Sequence, residues 1–372
     1  MMRCVSALVF FAALSSAAFA QTAPKYQPEP FWPKPLPGNW ILGQVAGIAV
    51  DRNDHIWIIH RPATLLDDEK GAQKNPPEGK CCTAAPPVMK FDAEGNLLAY
   101  WGGKGDGYTW MANEHGIHVD RDGNVWVGGN NDGDQILKFS PEGKFLQQVG
   151  QNDSTKGSNS TTRLGRPAHM MTDDAANEIY VADGYGNRRV IVFDSKTGAY
   201  KRHWGAYGTK TPTDEKLPAY SPAAEPSKSF SNPVHCVRIS NDGLVYVCDR
   251  ANNRIQVFRK DGTYVKEFVV EKETLANGAV WDLVLSEDPQ QRFIFMADGN
   301  NGQIVTLSRE TGAKIVMYNV PARTASYLEP ETLIRLANDR NIIGLKQAVD
   351  FRNSGKHRED TQRVVEGTKG MD

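Results

Sequence analysis

The chain has 372 residues, with 43 Lys and Arg against 44 Asp and Glu, and a net charge of −1. That balance leaves no basic excess to attract nucleic acid or acidic lipid, so neither is expected as a partner. Hydrophobic residues make up 40% of the chain, with 34 glycines and 21 prolines, a composition that predicts a sizeable core cut by many turns.

The first twenty residues, MMRCVSALVFFAALSSAAFA, hold one basic residue, an apolar run and a small-residue end. They read as a secretory signal peptide, residues 1–20, which predicts an exported chain, periplasmic or extracellular, with disulfides allowed. No later segment reaches the ~18 uninterrupted apolar residues of a membrane span. Residues 21–40 form a Pro-rich extended lead-in.

From about residue 41 one pattern recurs: apolar alternation, an Asp with a Gly or Asn turn, then an aromatic anchor inside a second apolar run. Its instances are GIAVDRNDHIWIIH, GIHVDRDGNVWVGG, MMTDDAANEIYVAD, VRISNDGLVYVCD and LVLSEDPQQRFIFMAD, anchored on Trp57, Trp126, Tyr180, Tyr246 and Phe295. A third strand follows each, and most show a fourth. Period-2 strands, four to a repeat, predict an all-β fold, a β-propeller over 41–315 with five recognisable four-stranded blades. Segments 64–87 and 209–230 read as surface insertions. Cys236 and Cys248 flank the turn SNDG, which places them opposite each other as a disulfide or as two buried thiols; Cys81 and Cys82 have no assigned partner.

Three histidines stand at one place in the repeat. His115, His169 and His235 each precede their aromatic anchor by eleven residues. Equivalent positions lie on a ring about a propeller axis, so the three predict a zinc site at one mouth of the channel, zinc being a common partner of neutral imidazole. His118 reads as a packing residue. In YVADGYGNRRVIVFD, Asp183, Gly184, Gly186 and Asn187 suit the turn itself. Tyr185 at its tip is open to either packing or function, and Arg61 stands one register position away in the first blade.

The stretch YVCDRANNRIQVFRKDG resembles an NHL repeat, the blade motif of six-bladed propellers, so a sixth blade is missing here. Within that group the chain resembles peptidyl-α-hydroxyglycine α-amidating lyase, through the His-Gly start at His115, the Pro-x-His type start at His235, the Asp-Gly-Tyr turn and the pair His60-Arg61. The resemblance implies that His115 and His235 bind zinc, that Tyr185 is the base and that Arg61 steadies the substrate. The third histidine of that family comes from the sixth blade, for which His169 would substitute. Its half-cystine in the tyrosine turn is Gly186 here, and calcium in the channel would be structural.

After Ile315 the pattern changes. MYNVPARTASYLEPETLIRLANDRNIIGLKQAVDF reads as strand, helix and strand, a βαβ unit foreign to an antiparallel propeller. It resembles dihydrodipicolinate synthase, a (β/α)8 barrel, and residues 316–372 are expected to be a partial barrel-like fragment. There Tyr318, Arg323 and Lys346 match the proton-relay, substrate-contact and Schiff-base positions. A chimera explains this junction better than an appended closing unit. Three functions follow in order: a zinc propeller lyase cleaving an α-hydroxyglycine-type peptide or amide end, a non-catalytic propeller binding a ligand or protein, and an aldolase activity of the tail.

Overall fold

The computed structural model describes residues 29–130, 134–153, 155–314, 316–319 and 344–347. The contacts divide the chain after Lys314, and Gln27–Lys314 form one unit. Within it the strands make five antiparallel sheets, one per repeat. The first holds Gln44–Val50, Ile56–Arg61, Val88–Phe91 and Leu97–Trp101, and the next three have four strands each. Among the described residues the fifth sheet has three strands, Val280–Leu285, Phe293–Asp298 and Gln303–Ser308. Its expected fourth begins as one antiparallel bridge, Leu307 with Lys314, just before the foreign sequence starts. Five blades therefore stand as expected, the last one short.

Blades one and two build the same local structure from the repeat. Asp51 and Asp120 close their hairpins by accepting backbone N–H groups, and each also accepts the indole N–H of its anchor: Trp57 at 3.0 Å and Trp126 at 3.1 Å. The Asp and the aromatic are thus one device, a turn acceptor that also satisfies a buried donor. Trp57, Trp126, Tyr180 and Tyr246 are all buried. Apolar side chains of successive blades meet in four layers, for example Ile59 with Val127, and Tyr180 with Val247. A fifth cluster joins blade one to the lead-in, where Trp32, Leu36 and Trp40 pack on Ile58, Met89 and Phe91. The lead-in is therefore a cover for the outward face of blade one. The inner strand beside it keeps Ile48 and Val50 exposed.

Cys236 and Cys248 are bonded across paired strands, and Cys81 is bonded to Cys82. No helix among the described residues is long and apolar enough to cross a membrane. In the other unit, Val316–Asn319 and Gly344–Gln347 pair in parallel, with Tyr318 opposite Lys346. That agrees with the βαβ reading. Arg323, the intervening segment and the signal peptide lie outside the described residues.

Candidate functional site

The site grows from an irregularity shared by the inner strands. In blade one the pairing jumps between Val45 and Gly47, in blade two between Glu114 and Gly116, in blade four between Val234 and Cys236, and in blade five between Val280 and Asp282. The residues left over are Ala46, His115, His235 and Trp281. A β-bulge turns its extra residue out of the alternation, and here two of the four are imidazoles. Each imidazole is oriented by the backbone of the next blade. His115 Nδ1 donates to the carbonyl of Ala168 at 2.8 Å, and His235 Nδ1 donates to the carbonyl of Trp281. Both Nε2 lone pairs are thereby left free to accept.

Tyr185 meets them both. Its hydroxyl lies 3.0 Å from His115 Nε2 and 3.0 Å from His235 Nε2, and the imidazole ring centroids are 5.1 Å apart. The turn that carries it is tightly braced. The Asp183 carboxylate accepts from Gly165 N, the Asn187 amide and Arg189 Nε at 2.6, 2.7 and 2.8 Å. Tyr185 N and Gly186 N donate to the carbonyls of Arg166 and Gly165. At Gly184 a Cβ would sit 2.0 Å from the Val234 carbonyl, so only glycine fits between blades three and four. Asn232 then caps the turn by donating to the Gly184 and Asn187 carbonyls.

The guanidinium that touches Tyr185 belongs to Arg250, whose Nη1 lies 3.3 Å from the hydroxyl. Arg61, expected over the same mouth, donates from Nε to the Glu114 carbonyl at 2.6 Å. It sits close enough to depress the His115 pKa, without a direct bond to Tyr185. Arg250 follows Asp249 as Arg61 follows His60, each four residues after its anchor, so the repeat register did carry this residue.

His169 does not join the site. Trp126 pairs with His118 and Tyr246 with Arg238, eight residues upstream in both cases, whereas Tyr180 pairs with Met171, nine upstream. The blade-three hairpin is one residue longer, so Ala168 is the equivalent of His115 and His235. With period-2 strands a one-residue slip moves a side chain to the other face. His169 holds instead the place of Gly116 and Cys236. It is buried with neither ring nitrogen bonded to a protein group.

Burial, first of all, drives the His115 pKa down to about 3 and that of His235 to about 4, with Arg250 adding to both. Both are neutral at pH 7. Two neutral imidazoles then present two lone pairs to a hydroxyl with one proton, so one lone pair lacks a donor. Among the described residues no three His, Cys, Asp or Glu side chains form a complete metal-binding set.

Comparison with known proteins adds to this geometry. The family model for the NHL repeat matches residues 234–258, the strand pair that carries His235 and Arg250. This stretch is an NHL repeat. The model for the dihydrodipicolinate synthetase family matches residues 303–367, beginning inside the last strand of blade five. Peptidylglycine alpha-amidating monooxygenase of Rattus norvegicus is 28% identical over 240 residues, which is 63% of this chain and 22% of that protein. NHL repeat-containing protein 3 of Homo sapiens is 30% identical over 184 residues, 47% of this chain and 46% of that one. A probable peptidyl-alpha-hydroxyglycine alpha-amidating lyase of Caenorhabditis elegans is 27% identical over 220 residues, 58% and 56% respectively. The chain thus spans between 22% and 56% of the length of these relatives.

Proposed function

We propose that the propeller is a lyase that splits an α-hydroxyglycine-type peptide or amide end, with Tyr185 as the proton acceptor. The observation that carries this reading is the Tyr185 hydroxyl held between two free imidazole lone pairs, beside Arg250, which has no carboxylate partner among the described residues. In the reaction the substrate hydroxyl loses its proton to Tyr185 and its C–O bond becomes a carbonyl. The C–N bond breaks, and the amide nitrogen takes up a proton. The products are a terminal amide and glyoxylate, with no oxidant consumed. Arg250 favours the phenolate form of Tyr185 that takes the proton, and Arg61 supplies a second cation at the rim for a substrate oxygen.

The donor set suits zinc, because a Lewis acid can accept both Nε2 lone pairs, of which the single phenolic proton can meet only one. His115 and His235 would hold it through Nε2, and bound there it would polarise a substrate oxygen. With two imidazoles and no third histidine beside them among the described residues, binding is expected to be weaker than at a three-histidine site. No residue among those described is assigned to calcium, which would be structural if bound.

The test is metal content and turnover together. Protein from zinc-replete growth should hold zinc and release glyoxylate from an α-hydroxyglycine peptide. His115→Ala or His235→Ala should lose the metal, while Tyr185→Phe should keep it and lose turnover. Metal-free protein with no glyoxylate release would leave a binding propeller in place of the enzyme.

A further inference from the structure

The fifth blade contributes no histidine, yet its bulge residue is built into the site. Trp281 stands at the register of His115 and His235, and its carbonyl orients His235. Its indole lies against Arg250, with the guanidinium carbon 4.8 Å from the ring centroid. The same carbon is 5.7 Å from the Tyr185 ring, so the guanidinium is in reach of both aromatic faces. Arg250 is buried, and the neighbouring loop restrains it further: Nε donates to the Asn277 carbonyl at 3.0 Å.

The indole has its own restraints. Its N–H donates to the Gly278 carbonyl at 2.9 Å. A Cβ on Gly299 would come within 2.3 Å of the ring, so Trp281 can occupy this position only because residue 299 is glycine. Gly299 follows Asp298 as Arg250 follows Asp249 and Arg61 follows His60. The fifth blade thus offers empty space where the first and fourth offer a guanidinium, and the indole fills it.

We propose that Trp281, seated on Gly299, is a positioning residue that aims Arg250 at the Tyr185 hydroxyl. A guanidinium over an indole is held by the ring quadrupole, and the contact strengthens as water is excluded. Without the indole, Arg250 keeps its Nε bond but loses the surface that fixes the plane of its fork. The consequence for turnover rests on the lyase reading; the geometry does not.

The test follows the Tyr185 side chain directly, through its 13Cζ resonance in tyrosine-labelled full-length protein. Arg250→Ala should move that resonance. Trp281→Leu should move it in the same direction by at least half as much, and Trp281→Phe should return it most of the way. Gly299→Ala, which displaces the ring without deleting it, should resemble Trp281→Leu. In the Arg250→Ala background, Trp281→Leu should add nothing, because its effect runs through the arginine. On an α-hydroxyglycine peptide, Trp281→Leu should lower kcat about tenfold, in line with a partly desolvated cation–π contact, and change KM less. The proposal is overturned if Trp281→Leu leaves the Tyr185 resonance at the wild-type position, or if Arg250→Ala does. Wild-type protein that turns over no such peptide would end the lyase reading, while the resonance series would still decide the role of Trp281.

Discussion

The Asp183 carboxylate and the Arg189 guanidinium meet at 2.8 Å with neither side chain exposed to water. Arg189 gives three further donors to the carbonyls of Ser158, Ser160 and Arg163, so one ion pair ties the tyrosine turn to the loop before its blade. Breaking a buried pair from one side leaves an uncompensated charge, a loss of about 3–5 kcal/mol. Asp183→Asn is therefore expected to lower unfolding free energy by that order in denaturant titration. Asp183→Asn/Arg189→Met should recover part of it. An Asp183→Asn loss under about 1 kcal/mol would mean that the turn holds without the pair.

His169 supplies the second prediction. Its ring nitrogens are buried without protein partners, and burial, with Arg238 next in weight, keeps its pKa well below the usual histidine value. A buried polar group without a partner costs about 1–3 kcal/mol. His169→Leu should leave stability unchanged or raise it by about 1 kcal/mol, and should leave zinc content untouched. Loss of zinc in this variant would restore His169 as a ligand.

The propeller was legible because the aromatic anchors recur in register with the strands; the Asp acceptor pairs with its anchor in blades one and two. Tyr185, His115 and His235 were legible from spacing and resemblance. His169 lies off the expected face because counting residues to an anchor assumes hairpins of equal length, and between equivalent pairs DDAANE is one residue longer than DRDGN. The bulges that expose the two imidazoles have no side-chain signature at all. Arg250 stood in the register of Arg61, but its neighbour Trp281 lies on another blade and could be paired with it only through the fold. The prolines of the lead-in predict an extended segment; that its tryptophans cover blade one depends on which face the ring leaves bare.

The third prediction concerns acid. His118 Nε2 lies 3.1 Å from the Thr172 amide, which can only donate, so that nitrogen must be unprotonated. Burial pushes the His118 pKa down to about 4, the Arg238 charge adds to this, and Asp120 opposes it. His169 is the other titratable group near it. Because the folded-state value lies below the ordinary 6.5, the unfolded chain takes the proton first. The stability this histidine contributes is complete above about pH 6.5 and is lost as pH falls towards about 4, by roughly 1.4 kcal/mol for each pH unit between those two values. His118→Asn should flatten the fall in Tm between pH 7 and 4.5. A fall as steep as that of wild type would assign the acid sensitivity to other groups.

The disulfide of blade four bears on both stability and the site. Cys236 adjoins His235, and Cys248 lies two residues before Arg250, so the bond ties together the strands that bear both. Both cysteines are fully buried and their separation is 12 residues, a short loop for which chain entropy gives about 3 kcal/mol. Cys236→Ala/Cys248→Ala is expected to lower the unfolding free energy by that order. If the double variant is as stable as wild type, the bond is not formed in the purified protein.

The last prediction concerns Lys346. Strands Val316–Asn319 and Gly344–Gln347 pair in parallel and place Tyr318 opposite Lys346, the arrangement expected of two barrel strands. The match to the dihydrodipicolinate synthetase family covers residues 303–367, and its first residues already belong to blade five. A lysine forms a Schiff base at neutral pH only when its ammonium is destabilised, by an apolar pocket or a neighbouring cation. In a (β/α)8 barrel the interior is filled by side chains from eight strands, and two strands cannot enclose such a pocket. Pyruvate followed by borohydride should therefore leave Lys346 unmodified in the full-length chain, as read by mass spectrometry. Stoichiometric labelling at Lys346 would show that this unit builds a working pocket, and the tail would then need a function of its own.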